Sequence, residues 1–354
     1  MKALVIGGSG PTGPYVVEGL LKKGYEVAVL HRGFHEIEFS QKTEHIHVDP
    51  FAPDALQILG TRKFDVVVSM YGRLRLIAEF MKGRTERFIG ITGSAYLGST
   101  NPADNPEGLL MPIPEDAPVI TDPNTFKIGY LIVLGEQEVM RIHAQGGFGA
   151  TLFRYSMIYG PRQLPPKEWS IIRRILDKRK RLILPDGGLV LRSRSYAENA
   201  AHALLSAIDN PAANGQIYNV AEERTFTLRE WAQVIAKEMG HEFEYIDMPW
   251  AIAKPSMPFA TSERHLVMDI TKIKKELGYH DVIPAREGLK RTVQWLLENR
   301  PENGGEVEQQ LRDPFNYGIE DKIIEEWEKG CNNVRNIPFM VEERKYGYAD
   351  PKKS

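Results

Sequence analysis

Residues 3–13 of the 354-residue chain read ALVIGGSGPTG, an apolar run that passes directly into a glycine-rich turn. Residues 15–23 then carry apolar side chains at helical spacing, and Gly24 ends that segment. Residues 26–30 form a second apolar run. This order predicts a strand, a glycine turn, a helix and a parallel strand, which is the opening unit of a nucleotide-binding sheet.

The glycine turn has the composition of a pyrophosphate site. Three glycines at this spacing allow a tight turn, close approach of the backbone to a phosphate, and close packing of helix on strand. Backbone N–H groups at the helix start face the phosphate oxygens, and the helix dipole favours their charge. The predicted cofactor contacts are Gly7, Ser9, Gly10, Pro11, Thr12 and Gly13.

The residues after the second strand indicate which dinucleotide binds. NAD-binding folds place a carboxylate there for the ribose 2′-hydroxyl, whereas this chain has His31, Arg32 and Gly33. A guanidinium suits a 2′-phosphate, so we predict contacts from His31 and Arg32 and expect NADP rather than NAD. An ordinary solvated arginine is the alternative reading of Arg32. Asp49, after the third predicted strand at 44–48, is expected at the adenine edge.

Composition limits the class of partner. Apolar residues make up 42% and charged residues 26% of the chain, which is typical of a folded globular protein. The formal net charge of -2 gives no broad basic surface for nucleic acid or an anionic membrane. The N-terminus passes straight into the glycine turn, with no apolar signal segment, and no later run has the length of a membrane span. We expect a cytoplasmic protein with a small-molecule partner.

Metal-binding patterns are weak in the sequence. The single cysteine, Cys331, provides no partner for a disulfide or a thiolate zinc site. Of nine histidines, only His45 and His47 share the spacing that puts two imidazoles on one face of a strand. No carboxylate or cysteine cluster accompanies them at ligand spacing, so we predict no metal site.

Later segments resemble, in order, the extended short-chain dehydrogenase/reductase family of sugar-nucleotide epimerases and dehydratases. The resemblance runs from Met1 to about Arg300. The matching segments are FIGITGS at 88–94, EDAP at 115–118, RYSMIYGPR at 154–162, the arginine-led strand at 192–199, GQIYNV at 215–220 and ELGY at 276–279.

The resemblance implies an α/β fold, a Rossmann doubly wound parallel sheet with a smaller C-terminal substrate lobe. We expect a dinucleotide-binding domain at 1–155 with returning segments near 190–225, and a substrate lobe at 156–300. An appendage covers 301–354, where residues 319–327 have helical apolar spacing. It could close over the cleft and complete the substrate pocket, or it could build an oligomer contact, and we expect a homo-oligomer.

The family's reaction uses a tyrosine for proton exchange, a lysine four residues later that lowers its pKa, and a serine or threonine at the same substrate oxygen. Carried over to this chain, the tyrosine is Tyr130 and the hydroxyl is Thr92 or Ser94. Leu134 stands where the lysine is expected. Lys127, three residues before the tyrosine, could supply the missing charge from the neighbouring helical turn.

A second alignment of the same helix is open. Anchoring the helix on Glu136 puts Ile128 and Ile132 in the tyrosine and lysine positions, whereas anchoring it on Glu138 selects Tyr130. We prefer the alignment with Tyr130 because it keeps an aromatic hydroxyl.

Substrate contacts follow from the same resemblance. Arg162 and Arg192 match positions where the family's arginines bind phosphate, although a role in tying loops together is equally open for both. Tyr71 lies on a segment expected near the nicotinamide, and Met157 replaces a common substrate-binding asparagine.

Together these residues predict an NAD(P)-dependent oxidoreductase or epimerase with an atypical active site. It would act at a hydroxyl- or keto-bearing carbon of a small substrate that the arginines mark as anionic. The alternative is a non-catalytic NADP-binding sensor or scaffold of the atypical type.

Overall fold

A seven-stranded parallel sheet lies at the centre of the structure, a computed structural model that describes residues 1–33, 36–52, 54–70, 73–253 and 264–338. The strands of this sheet are β1 (Lys2–Ile6), β2 (Glu26–His31), β3 (Glu44–His47), β4 (Phe64–Ser69), β5 (Thr85–Gly93), β6 (Gly149–Tyr155) and β10 (Gln216–Val220). Their spatial order is β3-β2-β1-β4-β5-β6-β10. Every pairing is parallel.

The remaining strands form two parallel pairs, β7 (Met157–Tyr159) with β9 (Arg194–Tyr196) and β8 (Arg181–Pro185) with β11 (Glu244–Met248). Short 3₁₀ helices cover residues 55–59, 102–104, 186–188 and 211–213. The helices of the first 313 residues are α1 (Gly13–Lys22), α2 (Leu74–Met81), α3 (Lys127–Ala144), α4 (Trp169–Leu176), α5 (Ala197–Leu205), α6 (Leu228–Glu238), α7 (Trp250–Ala253), α8 (Thr271–Leu277), α9 (Ala285–Glu298) and α10 (Glu306–Leu311).

Both faces of the central sheet are covered because its middle strands are apolar throughout. In β1, Ala3 and Val5 join a core with α1 and α5, whereas Leu4 and Ile6 join a second core with α2 and α3. All four side chains are at most 1% exposed. Such continuous apolar strands are typical of parallel sheets with helices on both sides.

The strand order reverses direction at β1, which has β2 on one side and β4 on the other. Ligands of open α/β sheets bind at such a switch point, beyond the carboxyl ends of the strands. This architecture confirms the predicted Rossmann doubly wound fold. The glycine turn leaves β1 at this point.

The chain divides into two compact units, Met1–Asp313 and Pro314–Ser354. Within the first unit, β10 returns to the edge of the central sheet, while β7, β8, β9 and β11 lie outside it. The second unit contains α11 (Tyr317–Arg335), so the apolar spacing at 319–327 does belong to a helix. The finer division into a cofactor domain and a substrate lobe stays a prediction.

Candidate functional site

The glycine turn between β1 and α1 has the tight geometry that a pyrophosphate cradle requires. Gly7 has φ +97° and its N–H donates to Leu30 O at 2.9 Å, which holds the turn against β2. A Cβ on Gly13 would lie 2.2 Å from Gly8 O, so only glycine fits there. A Cβ on Gly10 would meet nothing within 4 Å. The turn therefore packs tightly against its own backbone at Gly13, whereas the space in front of Gly10 is open.

The other predicted pyrophosphate contacts, Ser9, Pro11 and Thr12, lie on the same turn. Thr12 precedes the first residue of α1, and its side chain makes no capping hydrogen bond. In the first turn of α1, however, Pro14 has no N–H, the N–H of Gly13 donates to Gly10 O at 3.2 Å, and that of Val16 donates to Thr12 O at 3.1 Å. A pyrophosphate here would therefore depend mainly on the turn before the helix and on the helix dipole.

At the end of β2, His31 is buried and Arg32 is exposed. Burial lowers the pKa of His31, and the neighbouring charges of His45 and His47 lower it further. Asp49, two residues beyond β3, is exposed and accepts the N–H of Phe51 at 2.9 Å. Arg32 and Asp49 thus lie on surfaces that a cofactor could reach at the carboxyl ends of β2 and β3. Tyr71 lies outside the described residues.

Three histidines meet at this edge of the sheet, where the sequence pattern pointed only to His45 and His47. His31 pairs in register with His47, and its Nε2 lies 2.9 Å from Nδ1 of His45. Each of the three rings has a nitrogen that lies within 4.8 Å of a nitrogen of the other two rings. The sequence pattern does not place His31 in the cluster, because its membership depends on the register of β2 against β3.

At the end of β5, Thr92 and Ser94 have different environments. Thr92 is buried, and its Oγ1 donates to Glu136 Oε1 at 2.8 Å. Ser94 follows the last residue of the strand and is exposed. Of the two predicted hydroxyls, Ser94 is the one available to a substrate.

Glu136 shows which face of α3 points towards the central sheet. Its Oε2 lies 2.7 Å from Nη2 of Arg154 on β6, and both side chains are at most 6% exposed. Glu138 instead pairs with Arg141 of the same helix, at 2.7 Å, on the outer surface. Ile132 lies one helical turn before Glu136. Its Cδ1 would be 3.5 Å from a Cβ added at Gly93, so Ile132 faces the end of β5.

Glu136, Ile132 and Ile128 therefore form one stripe of α3 that faces the end of β5. Tyr130 lies two residues from Ile132, about 200° around the helix axis. This geometry favours the alignment anchored on Glu136 and reverses our preference for the one with Tyr130. Isoleucines then occupy both positions where the family resemblance expects tyrosine and lysine.

A cavity of about 20 Å³, which has room for about one water molecule, lies beside Ser94. Its lining residues are Ser94, Tyr96, Ser99, Ile113, Ser156, Met157, Arg192, Ser193, Leu266 and Met268. The structure thus brings two predicted site residues together, Ser94 and Arg192. The serines at 99, 156 and 193 were not predicted from the sequence, although two of them, Ser156 and Ser193, lie within motifs that carry the family resemblance.

Arg192 gives the cavity a cationic wall. Within the described part of the chain, its guanidinium has no hydrogen-bond or ion-pair partner. Burial, together with the charge of Arg194, lowers the pKa of Arg192 to about 10. A half-buried, uncompensated cation of this kind favours an anionic ligand. Arg162, by contrast, is exposed in a turn at φ +65° and is not among the lining residues.

The phenol of Tyr96 is fixed inside the protein. It donates to Asn219 Oδ1 at 2.5 Å and accepts from Nη1 of Arg154 at 3.3 Å. Burial raises the pKa of Tyr96. We therefore regard Tyr96 as a neutral part of the cavity wall rather than a base.

A buried carboxyl lies behind the β7–β9 pair. Glu222 Oε1 accepts from the hydroxyl of Tyr159 at 2.7 Å and from the N–H of Tyr196 at 3.1 Å. Burial raises the pKa of Glu222 to about 8. This carboxyl makes the stability of the fold depend on pH.

Comparison with known proteins supports the family resemblance. Residues 72–221, which include β5, α3, β6 and β10, match the model of the NAD dependent epimerase/dehydratase family. The match confirms the resemblance to the extended short-chain dehydrogenases/reductases and the expectation of an enzyme family.

Relatives cover most of the chain at low identity. A Bacillus cytotoxicus protein named UDP-N-acetyl-alpha-D-glucosaminuronate decarboxylase is 22% identical over 326 residues, 84% of this chain and 98% of the relative. An Arabidopsis thaliana protein named chloroplast stem-loop binding protein of 41 kDa b is 25% identical over 318 residues, 81% of this chain and 77% of the relative.

The structure of UDP-glucuronic acid 4-epimerase from Bacillus cereus, in complex with UDP-glucuronic acid and NAD, has the same fold. It aligns with a TM-score of 0.65 and 19% identity over 84% of this chain and 100% of that one. Among the residues that the structure describes, none of the helices has the length and apolar character needed to cross a membrane.

Proposed function

We propose that the protein binds NADP at the glycine turn and Arg32 and acts on a small, anionic, hydroxyl- or keto-bearing compound that Ser94 and Arg192 contact, at a cavity that must widen to admit it. The observation that carries this proposal is the pairing, in one cavity, of an available hydroxyl at Ser94 with the uncompensated guanidinium of Arg192. A nucleotide sugar combines the two features that these groups would recognise, a sugar hydroxyl and a phosphate.

NADP rather than NAD is supported by the charge at the end of β2. No carboxylate stands at residues 31–33 to accept a ribose 2′-hydroxyl or repel a 2′-phosphate, and Arg32 is exposed there. The complex of the Bacillus cereus epimerase contains NAD, so the preference for NADP is a departure that we propose for this chain. Arg32 and Asp49 would hold the adenosine half of the cofactor, whereas the buried ring of His31 lies beneath this surface.

Ser94 would hydrogen-bond the reacting oxygen of the substrate, and Arg192 would hold its anionic part. A nicotinamide coenzyme held at the glycine turn would supply hydride transfer, while the chain itself would orient the substrate. Ile128 and Ile132 cannot move a proton, so the proton must pass to water, either directly or relayed through the hydroxyl of Ser94. A positioned acid–base group contributes typically 10²–10⁴-fold, so we expect slow turnover.

Turnover with a panel of substrates tests the proposal. UDP-sugars, neutral sugars and simple ketones would each be incubated with NADP or NADPH, and products would be separated by chromatography. We expect turnover of anionic compounds only, with a KM that rises at least tenfold in Arg192→Gln. Arg162→Gln is the matched control because Arg162 is outside the cavity lining. Equal effects of the two substitutions would contradict the assigned substrate site.

A second function is favoured by the isoleucines at 128 and 132. This chain keeps the glycine turn, but the stripe of α3 that faces the end of β5 carries neither a phenol nor an ammonium group. Such a chain could serve as an NADP-binding sensor or scaffold. The Arabidopsis relative is named for binding rather than for a reaction. Tight NADP binding without product from any substrate in the panel would support this second function.

A further inference from the structure

The three imidazoles at the carboxyl ends of β2 and β3 form a cluster with ligand-like spacing. The ring centroid of His31 lies 5.1 Å from that of His45 and 4.9 Å from that of His47. His31 and His47 are partners in the strand register, and His45 lies two residues before His47 on the same face of β3. Two strands of the rigid central sheet therefore supply all three rings.

The surroundings hold these rings in place. His31 is 2% exposed. The ring of Phe39 stacks on His45 with a centroid distance of 5.9 Å. The backbone of Gly33 covers His47 so closely that a Cβ at that glycine would lie 3.4 Å from the ring.

A carboxylate completes the set. Oε1 of Glu36 lies 2.9 Å from Nε2 of His47. If His47 binds a metal through Nδ1, its Nε2–H donates to Glu36, which is the carboxylate–histidine arrangement that orients metal-bound imidazoles.

We propose that His31, His45 and His47 form a site for a divalent transition metal, with Zn²⁺ the best fit and Glu36 orienting His47. Imidazole nitrogens favour Zn²⁺, Cu²⁺ and Ni²⁺ over Mg²⁺ and Ca²⁺, and a site with three protein ligands leaves a fourth position open. The site is distinct from the cavity beside Ser94 and needs neither cofactor nor substrate.

Metal binding requires the rings to move by about an ångström. Zn–N bonds are about 2.0–2.1 Å, so two nitrogens at a tetrahedral angle lie about 3.4 Å apart. The 2.9 Å contact between His31 and His45 must therefore open by about half an ångström. The three nitrogens lie within 4.8 Å of one another, so the widest pair must close by up to about 1.4 Å.

The proton on His31 must also move. The N–H of Gly33 donates to Nδ1 of His31 at 3.2 Å, which assigns the ring proton to Nε2, facing His45. Coordination through Nε2 transfers that proton to Nδ1 and costs the long hydrogen bond from Gly33. The ring of His31 stays neutral in this change. All three histidines would therefore bind the metal as neutral imidazoles.

Metal titration of the full chain, freed of metal by a chelator and without nucleotide, tests the proposal. We expect one Zn²⁺ per chain by dialysis and elemental analysis, and Co²⁺ absorption bands typical of tetrahedral coordination. His45→Ala and His47→Asn should each weaken Zn²⁺ binding at least tenfold. Glu36→Gln should weaken it by about 10–100-fold, as loss of an orienting carboxylate does.

His280→Asn is the matched control, since His280 is exposed and contacts Gly278 O outside the cluster. His47 is half exposed, so its substitution should leave the fold intact. As a second readout, Zn²⁺ should raise the Tm of the unchanged chain and of His280→Asn but not of His47→Asn. The proposal is overturned if the unchanged chain binds no stoichiometric Zn²⁺, or if His47→Asn and His280→Asn bind it equally. Because no nucleotide is present, either result leaves the proposed NADP function untouched.

Discussion

Replacing the two isoleucines of the α3 stripe should restore the missing acid–base pair. Ile128→Tyr with Ile132→Lys places a phenol and an ammonium four residues apart, on the face that carries Glu136. Ile132 already reaches to 3.5 Å from the Cβ position of Gly93, and the longer lysine side chain extends further into the cleft.

The expected gain follows from the usual contribution of a positioned acid–base group. That contribution is 10²–10⁴-fold in rate, or about 3–5 kcal/mol of barrier at 1.36 kcal/mol for each factor of ten. We therefore expect kcat of the double variant to exceed that of the unchanged chain by about 10²-fold or more. Product formation from the best UDP-sugar of the panel is the assay.

The other alignment of α3 provides the control. Leu134→Lys pairs a lysine with Tyr130, and Tyr130→Phe removes that phenol. Both variants should leave kcat unchanged, because residue 130 lies about 200° around the helix from Ile132. A rise in kcat with Leu134→Lys, or its loss with Tyr130→Phe, would refute the register that we derive from Glu136.

Other substitutions test the cradle, the buried ion pair and the buried carboxyl. Gly13→Ala should abolish NADP binding and lower the Tm, because its Cβ would lie 2.2 Å from Gly8 O; unchanged binding by calorimetry would contradict this. Glu136→Gln leaves the Arg154 charge buried, so urea unfolding should show a loss of about 3–5 kcal/mol, and a loss under about 1 kcal/mol would refute the role of the pair. Glu222 has its pKa raised from 4.5 to about 8, so the native state binds the extra proton and stability falls as pH rises through that range. The Tm of the unchanged chain should therefore fall from about pH 5 to pH 9, and an equally steep fall in Glu222→Gln would show that another group is responsible.

The sequence predicted those parts of the fold that local pattern determines. The apolar run of β1, the glycines and the spacing in α1 are adjacent along the chain, so their strand–turn–helix order could be read directly. The sequence could not decide between Glu136 and Glu138, because each lies eight residues after a candidate tyrosine position, where the family usually has an acid. The choice depends on Arg154, which approaches α3 from β6.

The two site features that the sequence did not settle depend on contacts between strands or on a strand end. His31 joins His45 and His47 only through the pairing of β2 with β3. Thr92 and Ser94 have the spacing that would put both on one face of a strand, but β5 ends at Gly93. The chain turns there, and Ser94 reaches the cavity while Thr92 stays against Glu136.

Titration calorimetry with NADP and NAD, on the full chain and on Arg32→Ala, measures the coenzyme preference directly. A hydrogen bond to a charged group is worth about 1.5–3 kcal/mol, so Arg32→Ala should weaken NADP binding by about 10–150-fold and leave NAD binding nearly unchanged. The unchanged chain should bind NADP more tightly than NAD. Absence of heat with both coenzymes, or tighter binding of NAD, would contradict the proposed cofactor site.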